Sequence, residues 1–186
     1  LHSIEDFETN IAFDKGTFVF QNSTNRIGRI RSIDESDVIV DFAGQSSKEG
    51  SRMSTSMAFK SLRALPKSHI WVLKSALPRE KLSKKVQEDI PWTLKTLMAS
   101  NEGRINLKEM KSELVPSILD VKEWTPWLNQ AKKELMTNPL FDLSSNDVDT
   151  YLLRSTPVSY EEKQLQVFRN EKNIYDKIKS LKDFIA

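Results

Sequence analysis

The chain contains no cysteine and only two histidines. Without thiols there is no disulfide framework, no Cys-based zinc site and no thiol nucleophile. His2 and His69 lie too far apart to form a ligand motif. The lack of cysteine fits a cytoplasmic protein. No apolar run approaches the ~20 residues that span a bilayer, so no membrane partner is expected. The opening residues, Leu1 to Glu8, lack a basic stretch and an apolar signal core. They also lack an initiator methionine, which fits a segment taken from a longer chain. Charge of one sign is missing as well: 28 basic and 26 acidic side chains leave a net charge of +2. That balance excludes a polybasic nucleic-acid arm while leaving nucleic-acid and protein partners open.

What is present is unevenly distributed. Gly16, Gly28, Gly44 and Gly50 precede residue 51, whereas all seven prolines follow residue 65. Glycine supplies the turns of tightly bent β structure, and these prolines punctuate segments that otherwise read as helices. A boundary near Pro66 follows, giving a β unit over 1–65 with a short lead-in.

Within that unit, Thr17–Gln21, Arg26–Ile33 and Val38–Phe42 are rich in β-branched and aromatic residues and are separated by polar turn clusters. A fourth strand is expected over Ser51–Ser56 and a short helical closure over Met57–Leu62. Three or four twisted strands in this length predict a small barrel of the SH3 or Tudor type.

Beyond Pro66 the period becomes helical, with segments over His69–Ala76, Lys81–Asp89 and Pro91–Ser100. Asn106 and Glu109 have capping-box spacing and open a helix over Leu107–Val115. Asp120 and Glu123 repeat that spacing ahead of a helix running to about Asn138, where Asn138-Pro139 stops it. If Asp120 is the cap, Pro126 falls inside the helix; if Thr125 is, Pro126 is the first helical residue. Leu140–Leu143 and Asp149–Ser155 flank a polar tip and read as a hairpin. Helix, short strand at Ile105, helix, helix and hairpin is the order of a winged helix, expected over 66–158. Ser159 opens an amphipathic C-terminal helix over 159–186, with Leu165, Phe168, Tyr175, Ile178, Leu181 and Ile185 on one stripe. The fold class is therefore α+β: a small SH3/Tudor-like barrel, a winged-helix-like domain and a long terminal helix.

No constellation of side chains meets the requirements of a catalytic site. No Gly-rich phosphate loop follows a strand, and the serines show no recognisable nucleophile elbow. Asp34, Glu35 and Asp37 read as turn chemistry and Glu161-Glu162 as a helix N-terminus, rather than as metal ligands. The sequence thus calls for no cofactor, no metal and no enzymatic activity. Phe18, Phe20, Phe42 and Trp71 are better read as barrel core than as a cage for a methylated cation.

Two surfaces remain. Arg26, Arg29 and Arg31 gather positive charge on one strand, where Arg29 and Arg31 share a face and can meet phosphate or a partner's carboxylates. The alternative is a charged strand edge that discourages aggregation. On the 120–138 helix, Trp124, Trp127, Leu128, Ala131 and Leu135 should face the core. Lys122, Asn129, Gln130, Lys132 and Lys133 lie opposite, as residues that read base edges or phosphates would. The mild charge favours protein docking over duplex binding there. The basic cluster at Arg79, Lys81, Lys84 and Lys85 reads as a solvated helix face.

With these residues in place, a resemblance is visible. It runs through Lys15–Phe20, Ile27–Ile30, Val38–Phe42, Met53-Ser54, Ala58–Leu62 and Leu65–His69. It continues in Trp124 and Trp127, Ala131-Lys132, Asn138–Phe141 and Tyr151–Arg154. Their order and spacing resemble the N-terminal extension of unusually long GreA-type bacterial transcript cleavage factors. That resemblance implies work in transcription elongation, with RNA polymerase as partner and DNA or RNA as a further one. Such factors stimulate RNA cleavage through two adjacent acids at the tip of a coiled-coil hairpin, which help hold a magnesium ion in the polymerase. This chain has no such hairpin, so no catalytic residue carries over. The barrel is also similar, more distantly, to Tudor-like polymerase-interaction domains that dock through an exposed strand edge. That similarity implies docking at Arg26–Ile33 or Val38–Phe42.

Overall fold

The computed structural model describes residues 13–44, 49–144, 147, 149–158 and single positions at 162, 165, 168, 169, 173 and 175. The C-terminal helix expected over 159–186, including Glu161, lies outside the described residues apart from those single positions. The chain divides into two compact units, Leu1–Leu82 and Ser83–Ala186.

In the first unit, strands β1 (Phe18–Gln21), β2 (Arg26–Ile33), β3 (Asp37–Phe42), β4 (Ser51–Ser54) and β5 (Leu62–Leu65) form one sheet. A short helix, α1 (Thr55–Ser61), links β4 to β5. The order is β4-β3-β2-β1-β5 and every pairing is antiparallel. This is the meander of an SH3-like barrel, in which the last strand returns to pair with the first. The fifth strand goes beyond the three or four expected, because Leu62–Leu65 is only four residues long and follows α1 directly.

The core is Phe13, Val19, Ile30, Val38, Val40, Phe42, Ala58 and Leu62. Strand alternation explains which residues it takes. In β1, Val19 points inward and is fully buried, so its neighbours Phe18 and Phe20 stand on the opposite, half-buried face. Of the barrel aromatics expected to form the core, only Phe42 does so.

A bulge in β2 resets this alternation: Ile30 pairs with Val40 and Ser32 with Ile39, leaving Arg31 as the extra residue. Ile30 and Ile33 therefore both reach the core although they are three residues apart. Gly28 serves a separate need. A Cβ there would lie 2.5 Å from Val40 Cγ1 and 2.8 Å from Phe42 Cδ1. Gly28 is thus a site of close approach, one of the uses of an isolated strand glycine.

Helix α2 (Ile70–Ala76) stays with the barrel, and the Trp71 ring sits 4.8 Å from Phe20. Its N-cap is His69, whose Nδ1 accepts from the Trp71 N–H at 3.2 Å. The division between units consequently falls further along the chain than Pro66.

Helix α3 spans Arg79–Glu88. The second unit continues with α4 (Ile90–Ser100), β6 (Arg104–Asn106), α5 (Leu107–Leu114), α6 (Val121–Thr137), β7 (Phe141–Leu143) and β8 (Thr150–Leu153). The strands form a separate antiparallel sheet in the order β6-β8-β7. Helix, strand, helix, helix and hairpin, with the first strand beside the last, is winged-helix topology. Asn106 caps α5 through a complete box: Glu109 N–H donates to Asn106 Oδ1 and Asn106 N–H to Glu109 Oε2, both at 2.9 Å. Asp120, rather than Thr125, is the N-cap of α6, so Pro126 lies inside the helix.

The buried stripe of α6 is Trp124, Trp127, Ala131 and Leu135, while Leu128 is half-buried at its margin. Trp124 and Trp127 stack at 5.6 Å. The Trp127 indole N–H donates to the Val86 carbonyl at 2.9 Å. That carbonyl belongs to the last turn of α3, where helical partners run out. Thr93 Oγ1 also donates to it, at 3.4 Å.

Two substitutions test this packing. Gly28→Ala should destabilise the barrel by about 1–3 kcal/mol, since Val40 and Phe42 must move to admit a methyl group. Trp127→Phe should cost roughly 1–2 kcal/mol by removing the donor to a buried carbonyl. Urea unfolding of each variant measures both, and midpoints equal to the parent's would contradict the packing described.

Candidate functional site

The three candidate arginines sit on β2, and the sheet places them differently from one another. Arg29 and Arg31 are both exposed on the outer face, as their spacing predicts. Arg29 lies over the Phe18 ring at 5.8 Å, and its Nε donates to the Gly16 carbonyl at 3.3 Å. Gly16 takes a φ of +88°, which turns the chain close beneath the guanidinium. Arg31 pairs with Asp41 on the neighbouring strand in a two-pronged contact, Nε to Oδ2 at 2.9 Å and Nη2 to Oδ1. Arg26 is half-buried, with its guanidinium 5.0 Å over the Phe42 ring and Nη2 donating to the Ala43 carbonyl at 3.3 Å.

Two expectations change as a result. The strand-edge reading is corrected, because β2 pairs with β1 and β3, and β3 pairs with β2 and β4. The sheet edges are β4 and β5, so β2 and β3 offer a face rather than main-chain groups for strand addition. The positive patch is also weaker than the local sequence implies, since Asp41 is brought across the sheet to Arg31. With about 40–45% of each side chain exposed, that pair contributes under about 1 kcal/mol to stability. It does lower the charge of the face.

Farther along the same sheet, Asp34 organises the turn between β2 and β3. Its Oδ1 accepts from the backbone N–H of Ser36 at 2.9 Å and of Asp37 at 2.8 Å. These bonds hold its carboxyl below the ordinary aspartate range. Asp37 is lowered chiefly by its bond with Arg52. The acidic cluster therefore performs turn chemistry.

On the winged helix, α6 presents Lys122, Asn129, Gln130, Lys132 and Lys133 to solvent. At 100° per residue, Lys122, Asn129 and Lys133 form the line opposite the buried tryptophans, while Gln130 and Lys132 flank it on either side. Exposed Val121 and Met136 lie on the Lys132 side, 70% and 57% accessible. The surface is thus mixed, with cations, an amide and apolar side chains. The Gln130 flank borders a cleft of about 400 Å³ lined by Gln87, Lys122, Glu123, Pro126, Trp127 and Gln130. At the wing, Arg154 Nη2 binds Asp142 Oδ2 at 2.6 Å and ties the hairpin together. In α3, Lys84 and Lys85 pair with Glu88 and Asp89, as a solvated helix face does.

The sequence reading missed a groove on the first unit. Asn25, Arg26, Ile27 and Ala43 of the barrel face Trp71, Lys74 and Ser75 of α2 across a space of about 350 Å³. Trp71, expected in the barrel core, is instead half-buried at this groove. Among the described residues, no three His, Asp or Glu side chains converge as metal ligands, and no helix is long and apolar enough to cross a membrane.

Comparison with known proteins gives four results. The GRAD helix-turn-helix domain family matches residues 71–158. A protein named for GreA-associated domains in Treponema pallidum is 40% identical over 183 residues, covering 98% of this chain and 27% of that protein. A protein named transcription elongation factor GreA in Borreliella burgdorferi is 35% identical over 170 residues, covering 91% of this chain and 18% of that protein. The chain therefore spans about a quarter or less of the curated relatives it matches. No solved structure matches it.

The Asp34 geometry makes a prediction with a definite sign. Because its folded-state pKa is lowered, the carboxylate stabilises the fold fully above about pH 4, the ordinary aspartate value. That contribution disappears as pH falls through the lowered value. Asp34→Ala should therefore melt earlier than the parent at pH 7, and the gap should close toward pH 2–3. A gap independent of pH would contradict the assignment.

Proposed function

We propose that the chain, whose residues 71–158 match the GRAD helix-turn-helix domain family, is a non-catalytic docking module of a GreA-type transcription elongation factor. It binds RNA polymerase in the cytoplasm and tethers a cleavage-stimulating domain that lies elsewhere in the longer protein. The observation that carries this reading is the similarity of 91% of this chain to 18% of a transcription elongation factor. A segment of that kind adds a binding surface to a larger protein. Linking a weak docking module to a second domain raises the effective concentration of that domain at their shared target.

The arrangement of surfaces supports protein docking. The outer face of β2 offers Arg29 and Arg31 among aromatic and acidic neighbours, a mixture suited to a protein partner's carboxylates. A second reading, nucleic-acid binding through α6 and the wing, rests on the outward line of Lys122, Asn129 and Lys133.

Two variants separate these readings. Arg29→Glu combined with Arg31→Glu should reduce affinity for purified RNA polymerase at least tenfold in surface plasmon resonance, with circular dichroism unchanged. Polymerase affinity equal to the parent's would remove the barrel face from the account. Lys132→Glu combined with Lys133→Glu should leave polymerase binding within about threefold. If α6 instead binds duplex, that variant weakens DNA binding, and parental affinity falls steeply with salt as phosphate counterions are released.

A further inference from the structure

The first unit holds a groove that the outer-face arginines do not explain. Its barrel wall is Asn25, Arg26, Ile27 and Ala43, and its helix wall is Trp71, Lys74 and Ser75. We propose that this groove binds an acidic peptide segment carrying an apolar or aromatic anchor residue. The inference deepens the docking reading by naming what the barrel grips, and its test needs no polymerase, so the two fail separately.

Three observations carry it. First, the volume, about 350 Å³, lies at the small end of ligand clefts, which run from roughly 300 Å³ upward. That is room for one or two side chains and too little for a folded surface. Second, the walls are Trp71, Ile27 and Ala43 for an apolar anchor, with a cation in each wall, Arg26 and Lys74. No acid is among the lining residues, so the charge complement is an anion. Third, the Arg26 guanidinium is already held over Phe42 at 5.0 Å and bonded to the Ala43 carbonyl. A fixed guanidinium loses little entropy when it engages a carboxylate. Tryptophan and arginine are also the residue types that dominate peptide and protein anchoring sites.

A nucleic acid fits less well. A groove for single strands tracks the backbone with successive cations and stacks successive bases. Here there are two cations and one tryptophan. Trp71 in addition has the Phe20 ring 4.8 Å away and the Arg63 guanidinium 5.8 Å over it.

The test is NMR titration of the whole ¹⁵N-labelled chain with a seven-residue peptide whose Leu-Phe centre is flanked by Asp and Glu. Shifts should appear at the Trp71 indole and at the Arg26 and Ile27 amides, and should be absent with the Lys-flanked counterpart. Arg26→Glu and Lys74→Glu, tested separately, should each weaken binding about tenfold or more. Lys74 is not among the barrel core residues, so Lys74→Glu, with its fold checked by circular dichroism, keeps the test decisive if Arg26→Glu disturbs Phe42. Absence of groove shifts up to millimolar peptide overturns the proposal, as do equal shifts from the Lys-flanked peptide. Tighter binding at the same residues by an oligothymidylate also overturns it, in favour of a nucleic-acid site.

Discussion

The hydrogen bond from the Trp127 indole to the Val86 carbonyl fixes α6 about its own axis, and the surface of the winged helix follows from that phase. An indole has one donor, and a carbonyl in the last turn of a helix has few partners available. Joining them across 41 residues satisfies both and leaves Trp127 little freedom to turn. With Trp124, Ala131 and Leu135 buried on the same stripe, Lys122, Asn129 and Lys133 have only the opposite side to occupy. What a partner meets on α6 is thus decided by what the helix must bury.

The barrel obeys the same logic with a different period. Val19, Ile30, Val38, Val40 and Phe42 claim the inner positions, so Phe18, Phe20, Arg29 and Arg31 are forced outward. The bulge at Arg31 lets β2 return Ile33 to the core, and it leaves Arg31 as the extra residue beside Asp41. The outer aromatics do not go bare. Arg29 covers Phe18, and Arg63 lies over Phe20 and Trp71. Guanidinium on ring is a favourable pairing that keeps charge in water while shielding apolar surface.

How much of this was legible in the sequence depended on range. The α6 stripe, the Asn106 box and the hairpin over β7 and β8 are local patterns, and the residues alone defined them. β5 was not legible, because Leu62–Leu65 follows α1 without a turn and has too few residues to display alternation. The sheet edge was lost with it: the return of β5 to β1 makes β1 an interior strand, while β2 is interior because β1 and β3 flank it. The neutralising contact between Arg31 and Asp41 depends on cross-strand register, which the bulge shifts by a residue. The groove between Arg26 and Lys74 depends on how α2 packs against the barrel, and no short motif records that. The family resemblance was readable because it rests on order and spacing over nearly the whole chain, which outlast any single soft motif.

The proposed function stands or falls on whether this chain reaches RNA polymerase directly. The most direct measurement is retention of bacterial RNA polymerase by the immobilised chain after exhaustive nuclease treatment, at low and at high salt. The account predicts polymerase retained after nuclease, with modest loss at high salt. Polymerase that disappears with the nucleic acid would contradict it and move the function to the winged helix as a nucleic-acid reader.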